Sequence, residues 1–131
     1  MKKLLFILLL CPIVLLAQED WEFVGTSAND TQYFIRDVSE KTNSTKIKFW
    51  VKSVQSDKDI KRQNNQKPGD YSLSKWEGDC DEETTQTKIM VIYNRDGEVK
   101  SSSTGPFEET PVIPDTMGEK VLKTACNKFR K

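Results

Sequence analysis

Any chemistry in this chain has to be done without histidine. That absence removes Ser-His-Asp and Cys-His nucleophilic catalysis and His-ligated metal centres together. Carboxylates, thiols and amines remain. Asp79, Asp81, Glu82 and Glu83 crowd one short stretch, where a carboxylate pair could do general acid–base work. The same group could meet a calcium ion, but it lacks the Asp-x-Asp-x-Asn-Gly spacing of a dedicated loop. Carboxylates on an exposed turn are usually just solvated. Cys80 lies among them; negative neighbours raise a thiol pKa, and there is no Cys-x-x-Cys pair, which disfavours a redox or nucleophilic thiol. No enzyme, cofactor or metal site is implied.

Two other groups could make contacts rather than bonds. Lys58, Lys61, Arg62 and Lys67 give a positive cast to residues 55–70, a polar stretch ending in Pro68-Gly69. A structureless loop of that length is either a solvated hairpin tip or a contact surface for a protein partner. Ser101-Ser102-Ser103-Thr104-Gly105 is the one loop that could plug the cleft of another enzyme.

The compartment follows from the amino terminus. Lys2-Lys3, the apolar run Leu4–Leu10 and Ile13–Leu16, and Ala17 before Gln18-Glu19-Asp20 predict a cleaved export signal over residues 1–17. The run is short for a membrane span, so no transmembrane segment is expected in the mature form. A lipid-modified Cys11 is the competing reading, although Leu10 is not the small residue that such a site wants. Export leaves Cys80 and Cys126, an even pair outside the cytosol with one intramolecular pairing open to it: a structural disulfide.

The domain that must position these residues is small. The chain has 131 residues, 20 basic and 20 acidic; Lys2 and Lys3 leave with the signal, so residues 18–131, one domain, are close to neutral. A nucleic-acid binder would need a basic face, and the balance argues against one. Leucine is nearly absent from the mature part, where β-branched and aromatic residues dominate, a composition suited to pleated sheet. Trp21–Val24 and Gln32–Ile35 predict a first hairpin. Ile47, Phe49 and Val51 alternate with Lys46, Lys48, Trp50 and Lys52; the first set is the core face, and Trp50 is either partly exposed or covered by another element. Tyr71–Cys80 is a fourth strand, kinked near Gly78. Lys88–Tyr93 reads as a central strand covered on both faces, and Asp96-Gly97 as a hairpin turn into Glu98–Lys100. Residues 101–111 look loose.

The period then changes. Thr116-x-x-Glu119 is a capping box, and Met117, Val121, Leu122, Ala125, Cys126 and Phe129 share one side of a helical wheel. The fold class is therefore α+β: an antiparallel sheet of five or six strands with one carboxyl-terminal helix packed on a face and tied there by the Cys80–Cys126 disulfide.

The order of these landmarks resembles the surface-adhesin protein E family, small exported domains of Gram-negative bacteria. The likeness is carried by Trp21, Tyr33–Ser39, Ile47–Val51, Glu77-Gly78-Asp79-Cys80, Tyr93–Val99, Ile113–Glu119 and Cys126. It implies the same sheet and helix, and a role in adhesion to host extracellular-matrix proteins such as vitronectin or laminin. The matched residues are scaffold, so the resemblance transfers a fold rather than a ligand. Two readings of function follow: a non-enzymatic periplasmic or surface binding protein, adhesin-like; or a periplasmic inhibitor or accessory protein of a cell-wall enzyme, with Ser101–Gly105 as its plug.

Overall fold

The computed structural model describes residues 20–41, 44–56, 67–105 and 107–129. The alternating segments pair in chain order. β1 (Glu22–Thr26), β2 (Gln32–Glu40), β3 (Lys46–Val54), β4 (Tyr71–Asp79), β5 (Thr84–Tyr93) and β6 (Val99–Thr104) form one antiparallel meander, and a two-residue β7 (Thr110–Pro111) pairs with the start of β5. Helix α1 (Met117–Cys126) follows.

Side chains alternate across a strand, so the register sorts the sheet into two faces. Ile35 pairs with Val51, Phe49 with Trp76 and Ile47 with Gly78. These residues meet Val121, Leu122, Ala125 and Cys126 of α1 to make the core, in which Ile35, Phe49 and Val121 are fully buried. Each such side chain contributes about 1.5–3 kcal/mol relative to leaving it in water. The Cys80–Cys126 disulfide, Cα–Cα 5.9 Å, fastens the helix to the end of β4. Gly78 is required there by close approach: a Cβ on it would run into Leu122.

Thr116 caps α1 by accepting from the Glu119 backbone N–H at 3.4 Å. The reciprocal half of the expected capping box is missing, because the Glu119 carboxylate turns to Lys123, 3.4 Å away. The Asp-Gly turn forms as expected, with Gly97 at φ 86° and the Asn94 side-chain oxygen accepting from the Asp96 and Glu98 N–H groups.

Three sequence expectations change. The helix packs on β1, β2 and β3 and, through Leu122, on Gly78 of β4, whereas β5 is half-buried along its whole length rather than covered on both faces. β5 also begins four residues before the predicted Lys88, since its polar start pairs with β4 and β7. The one register shift along β4 falls between Lys75 and Trp76, where Lys88 is the extra residue on β5, and the pairing of β4 with β3 and β5 is regular at Gly78.

Candidate functional site

The sheet has a second face, opposite α1. Register places Phe23, Phe34 and Arg36, then Lys48, Trp50 and Lys52, then Tyr71, Leu73 and Lys75, and finally Ile89, Val91 and Tyr93 across its strands. Among the described residues no helix or second layer packs on this face. It is aromatic and cationic at once. The Arg36 guanidinium lies 4.4 Å from the ring centre of Trp21. Lys52 lies between Trp21 and Tyr71, 5.6 and 5.2 Å from their ring centres. Lys75 lies 5.9 Å from Trp50. Tyr71 and Tyr93 stack at 5.0 Å, while Phe23 meets Phe34 edge-on at 5.4 Å. Cations over ring faces gain roughly 0.5–1 kcal/mol each at exposed sites, which orients long, otherwise mobile side chains.

Two features steer these side chains. A bulge interrupts β2 between Arg36 and Ser39, with Asp37 in the left-handed region at φ 54°. Bulges re-aim neighbouring residues, and this one leaves Arg36 Nε 3.3 Å from the Asp37 carboxylate. Glu77 is the second feature. Its buried carboxylate is ringed by Lys41 at 3.2 Å, Lys46 at 3.7 Å and Lys88 at 3.7 Å. Burial alone would raise the Glu77 pKa, but the Lys41 hydrogen bond and the charges of Lys88, Lys41 and Lys46 outweigh it and hold the group below its ordinary range. One anion thus anchors three cations and leaves a surplus of positive charge.

Asp70, at the foot of β4, behaves alike: burial raises its pKa, and Lys100 at 2.9 Å with the Lys67 backbone N–H overcomes that and lowers it. Asp79 is lowered first by the Glu82 backbone N–H, against burial, with further help from Thr45 and the Asp81 N–H. Its carboxylate therefore closes the β4–β5 turn. Among the described residues no three acidic or cysteine side chains converge as a metal site would require.

The residues singled out in sequence fare differently. Cys80 and Cys126 are joined. Lys67 is exposed, and its N–H donates to Asp70. Lys58, Lys61 and Arg62 lie outside the described residues, as does the predicted export signal. Ser101–Thr104 is not a free loop: it is the edge strand β6, paired with Ile89–Ile92, which removes the plug required by the inhibitor reading. The cationic face itself was missed in sequence. The signal was there in Lys46, Lys48 and Lys52 flanking Trp50, but a balanced net charge concealed a basic face that the structure does carry. Among the described residues no helix is long and apolar enough to cross a membrane.

Comparison with known proteins gives one match. The model of the family described as surface-adhesin protein E covers residues 21–127, the span from the first face aromatic to just past the second disulfide cysteine. No curated protein and no solved structure matches the chain.

Proposed function

The chain belongs to the surface-adhesin protein E family, and from that membership we propose that it is a non-enzymatic binding protein of the cell surface that attaches to extracellular-matrix components through the open face of its sheet. The observation that supports this most is the uncovered run of Trp21, Arg36, Trp50, Lys52, Tyr71 and Lys75, with rings and cations already in contact. These rings are half-buried by their own neighbours, Phe23 beside them is 53% exposed, and an aromatic patch rimmed by charge marks an interaction site. Lys58, Lys61, Arg62 and Lys67, in the 55–70 connection between β3 and β4, are proposed as a further partner-binding stretch. Residues 1–17 serve as a cleaved export signal, and the mass of the mature protein should begin at Gln18.

The test is saturable binding of the purified protein to immobilised matrix components, vitronectin and laminin among them. Reversing Lys48 and Lys75 to Glu should lower binding at least tenfold, and reversing Lys58, Lys61 and Arg62 together should weaken it further. Absence of saturable binding to any matrix component overturns the proposal and leaves the fold untouched.

A further inference from the structure

The chemistry of the partner can be narrowed, resting on the reading just given. We propose that the open face takes a sulfated polysaccharide of the glycosaminoglycan type, laid across β2, β3 and β4 and held by Arg36, Lys48, Lys52 and Lys75.

Charge complementarity carries the choice. Among the described residues, the carboxylates that β4 directs to this face are Glu77 and Asp79. Both are buried; Glu77 is already shared by three lysines, and Asp79 is taken up by Thr45 and the N–H groups of Asp81 and Glu82. Asp37 meets Arg36 at the rim. The full chain balances 20 basic against 20 acidic residues, so this excess is a segregation. The compensating acids include Asp81, Glu82, Glu83 and Glu108, exposed on the β4–β5 turn and the approach to β7, while Glu109 accepts from Thr84 at the start of β5. A densely charged polyanion fits such a face. A protein partner would engage the aromatic residues and Arg36, types enriched at protein–protein interfaces, whereas the lysines, depleted there, suit a polyanion.

Register gives the cations a spacing. Arg36, Trp50 and Lys75 are direct neighbours across β2, β3 and β4, which puts the two cations about 10 Å apart at the backbone. Lys48 and Lys52 are each two residues from Trp50 along β3, about 7 Å. Trp50 is thus surrounded by four cations at regular strand and residue spacings, a surface suited to a linear chain bearing an anionic group on successive sugars.

Single-stranded nucleic acid is the rival polyanion, and it needs free ring faces on which bases can stack. Here each ring already has a partner: Arg36 and Lys52 lie near Trp21, Lys75 lies 5.9 Å from the Trp50 ring centre, and Tyr93 stacks on Tyr71. The rings hold the cations in place, lowering the conformational entropy lost on binding, and the cation tips meet the ligand.

The probe is heparin, measured by immobilised-heparin chromatography and by titration of heparin into the purified mature protein at several salt concentrations. Binding should weaken linearly in log K against log salt, by counterion release. Arg36→Gln and Lys75→Gln should each cost about fivefold, the effect of roughly one surface charge near a polyanion, and should flatten the salt slope. Lys75→Arg should bind like the parent, and Lys120→Gln, on the helix side, should change nothing. Circular dichroism confirms that each variant is folded. Three results overturn the inference: no heparin binding at 0.1 M salt, equal losses in Lys120→Gln and Lys75→Gln, or single-stranded DNA of equal charge binding as tightly as heparin. A protein that fails with heparin but still binds a matrix protein keeps the adhesive function and loses this partner; one that binds heparin but no matrix component does the reverse.

Discussion

Substituting Gly78 by Ala tests how the helix is seated on the sheet. In an ordinary strand the change should stabilise, because glycine is entropically costly inside regular structure by roughly 0.5–1 kcal/mol. Gly78 is not in an ordinary place. A Cβ there would collide with Leu122 and lie 3.4 Å from Phe49 Cε1 and 3.7 Å from Ile47 Cγ1. Leu122 is 2% exposed and Phe49 1%, so the Leu122 side chain has to shift within the core to make way. Overpacking of this kind costs about 1–3 kcal/mol, which for a domain of this size lowers the melting temperature by roughly 5–15 °C. Urea unfolding with the disulfide intact should show a lower midpoint at unchanged slope. The cause is isolated by a double-mutant cycle. Leu122→Ala alone should cost about 2–5 kcal/mol through its cavity, and in that background Gly78→Ala should be neutral or stabilising, a coupling of at least about 1 kcal/mol. An unchanged midpoint for Gly78→Ala, or the same loss in both backgrounds, would refute the seating of Leu122 against β4.

Other outcomes follow from the charges and the disulfide. Glu77, Asp70 and Asp79 are all held below their ordinary values, so the unfolded chain binds protons more readily than the native one, and their contribution is present above the unfolded values of 3.8 for Asp and 4.5 for Glu. Stability should fall as pH drops from about 5 through the depressed native values; Glu77→Gln should be less stable at pH 6 and lose less on acidification, and an acid limb as steep as the parent's would contradict this. Cys80 and Cys126 are 46 positions apart, and opening that loop by a double Ser substitution should cost about 4 kcal/mol on the chain-entropy estimate, read from denaturant midpoints; a cost under about 1 kcal/mol would contradict a stapled helix.

Local pattern made part of this legible. Ile47, Phe49 and Val51 face the core as alternation predicts, and Val121, Leu122, Ala125 and Cys126 bury the expected helix side, because side-chain direction in each case is set by the chain's own period. Ser101–Thr104 defied that reading: an exposed edge strand needs no apolar alternation, and its pairing with β5 is a long-range fact. The start of β5 was hidden for the same reason, in Thr84, Thr85, Gln86 and Thr87. The binding face was the least legible feature. Alternation put Trp50 among lysines, but Arg36 and Lys75 reach it only through the register of three strands. Net charge, summed over the chain, erased the segregation that register creates.

The use of the open face can be read most directly from the three tryptophans. Trp21 and Trp50 belong to that face; Trp76 lies on the helix side against Phe49, its buried indole N–H without a hydrogen-bond partner. In a nitrogen-15 NMR titration with heparin oligosaccharide or a soluble matrix fragment, the Trp21 and Trp50 indole signals should shift with saturation while that of Trp76 stays in place. Movement of Trp76 with Trp21 and Trp50 unaffected would place the partner on the other side of the sheet and contradict the function proposed for this face.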